Sequence, residues 1–298
     1  MNSTRVPLAA KLGLAGACVL WAASFIATKS ALRSIPPLTV VTLRLLISAL
    51  CFLGWLLWKR EKIPFHGWPW LGQLTLLSLV GTGLHYGIQT VGIAYTTASN
   101  ASLYAATGPL CIALIAAVFL QERITLKKAL GIGCALLGVL VVQGWGTLRS
   151  FEFKGHLTGD LLVFISIALW GVFTVMGKKM TRLIAAPTLT ALVTIIGALV
   201  MVPVGWLEIR QRSFALESIS IEAWGAVVFL GVTCSFLATL LYFCALERTE
   251  SQKVGVYLYT IPPMSYLIAA LYLHEAIGAN LIIGSAVVLT GVYLTERG

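Results

Sequence analysis

The chain has 298 residues, 58% of them hydrophobic and only 11% charged, with a formal net charge of +10. A soluble globular domain carries roughly 25% charged residues, so an ordinary soluble fold is excluded. Crossing a bilayer takes about 20 apolar residues, and ten runs of about that length recur from one end of the chain to the other, separated by short polar loops.

The first run, 10–32, follows Arg5 and Lys11 and has the outline of a signal peptide. It continues past Ala23 to Leu32, and its Trp-containing pattern recurs in the sixth run, so it is expected to be retained. Trp21, Ser24 and Thr28 form a polar-aromatic stripe at helical spacing. A lone Trp is more often an interfacial anchor, but Trp21 lies about midway along its run, which favours a pore-facing position. In the second run, 38–58, Arg44 lies near the start, as Lys29 lies near the end of the first. Both are expected to snorkel; an outer gate or a partner for a substrate carboxylate is the functional alternative.

The third and fourth runs, 68–94 and 98–120, contain the stretch GLHYGIQTVGIAYTTASNASLYAATGPL, which has no acid and no Arg or Lys. His85, Tyr86 and Gln89 fall in one run, Asn100, Tyr104 and Pro109 in the next. His85 and Gln89 are four apart and share a helix face, as do Asn100 and Tyr104. Against lipid, each such group is left unsatisfied at a cost of about a few kcal/mol. As a cluster they are expected to line a cavity; for any one of them, an interhelical hydrogen bond is the bland alternative.

Run five, 125–143, carries Gly131 and Gly138, and run ten, 277–295, carries Gly284 and Gly291. Each pair is seven apart, one small face per helix, and is expected to serve close packing against a neighbour. Run six, 158–177, places Trp170 and Thr174 on one face, matching the stripe of the first run. After run seven, 187–206, run eight, 223–246, contributes Tyr242, and run nine, 254–273, contributes Tyr257 and Tyr259. Gly108-Pro109 and Pro262-Pro263 interrupt runs four and nine. Proline removes a backbone donor and obstructs the carbonyl one turn back, so exposed carbonyls there could meet a ligand ammonium, and a kink without ligand contact is the alternative.

Laid over itself at an offset of 153, the chain places Pro109 on Pro262, Glu122 on Glu275, Ile124 on Ile277, Gly131 on Gly284 and Gly138 on Gly291; at 149, Trp21 falls on Trp170 and Lys29 on Lys178. Two repeats of five segments, 1–148 and 149–298, are the simplest account. Five is odd, so the second repeat enters the membrane inverted. With a cytoplasmic N-terminus, 14 basic residues lie inside and five (Arg33, Arg149, Lys154, Arg210, Arg212) outside, which satisfies the positive-inside rule and leaves no basic cluster for nucleic acid. The turn after Glu122 has Arg123, Lys127 and Lys128, and its repeat partner HEAIGAN has no basic residue, as inversion requires.

Ten segments in two halves, a Trp in the first helix of each half, an Arg early in the second helix, and Pro, then Glu, then Gly across helices four and five resemble the EamA family of the drug/metabolite transporter superfamily. The likeness covers essentially the whole chain. The residues around His85 and the Tyr-rich segments are most similar to bacterial aromatic and general amino-acid exporters of the YddG type. The resemblance implies a ten-helix bundle around a central cavity bordered by both halves, and export of small metabolites.

The six cysteines lie inside apolar runs without a CxxC pair, and the four histidines are scattered, so no metal or other cofactor is expected. All eleven acids fall in loops, termini or segment ends, Asp160 and Glu247 closest to the core. Ion coupling usually uses a carboxylate near the midplane, so uncoupled or loosely coupled export is the simplest mechanism. His85 is the one deep group that titrates near neutral pH. HExxH, GxSxG and paired intramembrane carboxylates are missing, which argues against an enzyme.

The reading is therefore an all-α membrane protein of ten transmembrane helices, two inverted five-helix repeats around a central cavity, in the bacterial inner membrane with both termini cytoplasmic. It is expected to export neutral, zwitterionic amino acids by alternating access, through a cavity lined by Trp21, Ser24, His85, Tyr86, Gln89, Asn100, Tyr104, Pro109, Trp170, Thr174, Tyr242, Tyr257, Tyr259 and Pro262. The alternative is export of another small metabolite or drug, proton-coupled through His85. The expected partners are a small-molecule substrate and membrane lipid, with homo-oligomerisation left open.

Overall fold

The computed structural model describes residues 6–61, 63–65, 67–96, 98–149, 153–273 and 278–298. Among them the regular structure is entirely helical. The chain opens with α1 (Leu8–Ala31) and α2 (Pro37–Lys59). Then come α3 (Trp68–Ser78), a π-helix over Leu79–Leu84 and α4 (His85–Tyr95), followed by α5 (Ala98–Ala105) and α6 (Gly108–Phe119). The next three helices are α7 (Leu126–Arg149), α8 (Phe153–Met180) and α9 (Ala186–Gln211). After a 3₁₀ turn at Leu216–Ser218 come α10 (Ile221–Phe229), a second π-helix over Leu230–Ala238 and α11 (Thr239–Arg248). The last are α12 (Ser251–Gly255), a 3₁₀ stretch at Val256–Thr260, α13 (Ile261–Leu273) and α14 (Ala279–Arg297).

Seven of the helical stretches among the described residues are long and apolar enough to cross a membrane, Ile221–Arg248 counting as one. The runs at 68–94, 98–120 and 254–273 are assembled from shorter pieces instead. Their interruptions follow the sequence. Pro109 stands at the start of α6 and Pro262 in the first turn of α13, where a missing N–H costs little. The Thr107 hydroxyl donates to the Tyr104 carbonyl at 2.7 Å, and 153 residues on the Thr260 hydroxyl donates to the Tyr257 carbonyl, also at 2.7 Å. At both breaks a Thr hydroxyl thus bonds back to a carbonyl three residues earlier.

The helices pack in pairs. The first helix, α1, lies against the 221–248 rod, and α8 lies against the 68–95 rod; α2 packs on α9, and α7 on α14. The last pair is the closest. A Cβ on Gly138 would stand 2.6 Å from the Val288 nitrogen, and one on Gly291 2.4 Å from the Ala135 nitrogen, so the expected small faces meet each other.

The acids are built into helix starts. Glu208 accepts from the Thr39 amide (2.7 Å) and hydroxyl (2.9 Å) at the start of α2, and Glu247 from the Ala186 amide (3.1 Å) at the start of α9. The two Glu122 carboxylate oxygens accept from the Ser251 and Gln252 amides at 2.9 and 3.2 Å, holding the start of α12. Each supplies negative charge and acceptors where a helix N-terminus has neither. The end of the bundle holding Glu122, Glu247 and α12 also carries the Lys128–Glu250 and Lys11–Glu296 ion pairs and is tightly closed: every residue from Ser251 to Pro263 is buried.

Candidate functional site

The centre of the bundle is an aromatic cluster drawn from both halves. Trp21 of α1 and Trp170 of α8 stand edge to face, ring centroids 5.3 Å apart at 84°. Tyr242 of α11 lies 5.3 Å from the first and 5.4 Å from the second, and His85 lies 5.1 Å from Trp170 and 4.9 Å from Tyr86.

A cleft of about 580 Å³, including the space at its mouth, opens above this cluster. It is lined by Trp21, Ser24 and Phe25 of α1, Arg44 of α2, His85, Tyr86 and Gln89 of α4, Ala105 and Gly108 beside the α5–α6 break, Ile167 and Trp170 of α8, and Leu258 and Ile261 beside the 3₁₀ stretch. The cleft lies between the aromatic cluster and the end of the bundle where α1 gives way to α2 and α4 to α5.

Both π-helices serve it. An extra residue per turn frees or re-aims backbone groups, which is why such turns gather at functional sites. The first ends immediately before His85. The second presents the Cys234 carbonyl to the Trp21 indole N–H (3.2 Å) and the Ser235 hydroxyl to Arg44 Nε (2.9 Å). The glycines Gly81 and Gly231 allow the close approach: a Cβ would lie 2.0 Å from the Phe173 ring at the first and 2.7 Å from the Ile47 side chain at the second.

The polar groups have defined directions. His85 Nδ1 is 2.7 Å from the Ser166 carbonyl, so Nδ1 carries a proton and donates there, leaving Nε2 for another partner. Ser24 donates to the Trp21 carbonyl at 2.6 Å, leaving its oxygen lone pairs available. Arg44 is buried, with its guanidinium carbon 4.3 Å above the Tyr86 ring.

Of the residues expected from sequence, Trp21, Ser24, His85, Tyr86, Gln89 and Trp170 come together on the lining. Tyr242 and Thr174 form the layer beneath, fully buried and 3.2 Å apart through their hydroxyls. Pro109 and Pro262 are buried one residue behind the lining Gly108 and Ile261. Tyr257 turns its hydroxyl to Glu296, Tyr259 is fully buried with its hydroxyl unbonded, and Tyr104 stands half-buried away from the lining. The side chain of Asn100 lies outside the described residues. Arg44, expected to snorkel, faces the cleft, and Lys29 donates to the Thr96 carbonyl at 2.6 Å. An arginine inside an apolar run was itself the available signal. Among the described residues no cluster of His, Cys, Asp or Glu is fit to hold a metal, and the six cysteines are free thiols.

The EamA-like transporter family matches over residues 8–143 and again over 157–297. The chain belongs to the EamA-like transporter family. Among its relatives is an uncharacterized transporter of Archaeoglobus fulgidus, 31% identical across 95% of both chains. The uncharacterized transporter YoaV of Bacillus subtilis is 24% identical, again across 95% of each. A crystal structure covering 96% of this chain and 97% of its own superposes with a TM-score of 0.78 at 22% identity, which establishes a shared fold. Family membership makes this EamA-like chain a multi-pass membrane transporter of small molecules, and its paired matches fall on the two stretches that each contribute one tryptophan to the cleft.

Proposed function

We infer that the protein is a secondary transporter of the inner membrane that exports neutral amino acids, aromatic ones included, by alternating access between two inverted five-helix halves, 1–148 and 149–298. The observation that carries this reading is the repeat-related pair Trp21 and Trp170, 5.3 Å apart at the wall of a cleft that both halves line. Two halves of opposite orientation can exchange conformations, which interconverts openings toward the two sides of the membrane. The swapped packing pairs, α1 with 221–248 and α8 with 68–95, support such an arrangement.

An aromatic wall beside Ser24, His85 and Gln89 suits a solute with an apolar side chain and a polar backbone. The basic end of the bundle is the closed one, and by the positive-inside rule it is cytoplasmic, with both termini. The conformation is then sealed inside, with the cleft toward the outside. With no carboxylate on the lining, export runs uncoupled or loosely coupled. The test is efflux of a panel of labelled amino acids from proteoliposomes, with and without a pH gradient. Phenylalanine and leucine should leave faster than from protein-free liposomes, at rates the gradient does not change. A panel in which no amino acid exceeds the protein-free rate overturns the assignment.

A further inference from the structure

The charge of the cleft is lopsided. Arg44 is the cation of the lining, only 3% exposed, and the lining holds no Asp or Glu. Its Nε donates to Ser235 Oγ and its central carbon lies 4.3 Å from the centre of the Tyr86 ring, so the guanidinium is held in place. The two terminal amines donate to no group among the described residues. The three ion pairs found there are Lys11–Glu296, Lys128–Glu250 and Arg212–Glu208, and none involves Arg44. A guanidinium stays charged throughout the pH range of proteins, and a buried charge without a counter-ion is strongly unfavourable. A fork already anchored at Nε and open at its two amines is the geometry that grips a carboxylate with two parallel hydrogen bonds.

We propose that Arg44 is the anchor for a substrate carboxylate, and that the carboxylate, not the amine, is the group transport requires. An ammonium in the same cleft finds no carboxylate, only groups such as Gln89 and Ser24 and aromatic faces. It gains hydrogen bonds or cation–π contact but no ion pair. Acids that lack the amine therefore remain ligands, whereas amides and amines that lack the carboxylate do not. The proposal rests on this cleft being the transport site.

The experiment is binding and counterflow on the purified full-length protein, with binding read by intrinsic tryptophan fluorescence and counterflow in proteoliposomes loaded with labelled phenylalanine. The competitors are phenylalanine, 3-phenylpropionate, 3-phenyllactate, phenylalaninamide and phenethylamine. The two acids should compete within about tenfold of phenylalanine, as expected when one hydrogen-bonded group is lost. The amide and the amine should compete at least about 30-fold more weakly, as expected when the partner of a buried charge is removed. Arg44→Gln should erase that difference, and Arg44→Lys should keep part of it.

Phenylalaninamide competing as well as phenylalanine in the unaltered protein overturns the anchor, whatever the variants do. So does an Arg44→Gln protein that weakens phenylalanine and phenethylamine by the same factor. If the arylcarboxylates bind and no amino acid does, the anchor stands and the amino-acid assignment falls; if amino acids move and the amide moves equally, the reverse holds.

Discussion

His85 is held by the protein in a fixed orientation. Its Nδ1 donates to the Ser166 carbonyl at 2.7 Å, and its ring is enclosed by Tyr86 and Trp170. A side chain fixed this way serves as a hydrogen-bonding wall. His85→Gln, which keeps a donor and an acceptor but cannot ionise, should weaken apparent substrate affinity by about fivefold, the scale of one buried hydrogen bond, and leave the pH dependence of efflux unchanged. Efflux driven uphill by a proton gradient and lost in the variant would identify the ring as a coupling site instead. His85, Gln89 and the two tryptophans stand on the lining; the first two were legible because lipid excludes polar groups from a helix face, the tryptophans because they lie midway along their runs, away from the headgroups. Arg44 was misplaced for the opposite reason: snorkelling depends on depth and tilt, which packing against the second π-helix sets. Tyr257 and Tyr259 depended on the local helix type, and with Leu258 turned to the cleft the tyrosines on either side of it point elsewhere.

Two of the elements around the cleft depart from plain α-helix. One π-helix begins at Leu79 and the other at Leu230, in corresponding segments of the two halves, and each carries a glycine, Gly81 or Gly231, at a point of close approach. Apolar periodicity located these rods but has no way to register an inserted residue, since a π turn shifts the face by less than the scatter of the pattern. The breaks at Pro109 and Pro262 were legible as interruptions, though not the Thr107 and Thr260 hydroxyls that bond back to Tyr104 and Tyr257 there. The closed end depends on Glu122, whose carboxylate holds two amides at the start of α12. Removing both acceptors should cost about 1–2 kcal/mol. Glu122→Ala is therefore expected to lower the melting temperature in detergent by about 2–6 °C, and Glu122→Gln, which keeps one acceptor oxygen, by less. Thermal scans in which Glu122→Ala melts with the unaltered protein would show that the cap contributes nothing.

For the whole molecule, the ten-run pattern, the offset of 153 and the asymmetry of basic residues were all readable from the chain, because hydropathy and charge placement act before any tertiary contact forms. The proposed architecture puts the substrate path through the seam between the halves, with the basic end closed and the cleft reached from the opposite side. Ser24 stands on that proposed path: it lines the cleft, half-buried, next to the central tryptophan pair. A cysteine there, Ser24→Cys, in a background without the six native cysteines, allows the path to be challenged directly in cells loaded with labelled phenylalanine. A charged, membrane-impermeant thiol reagent added outside should modify the protein and stop efflux, and excess external phenylalanine should slow the modification. Complete modification with undiminished efflux would contradict the account, because solute would then be crossing somewhere other than the seam.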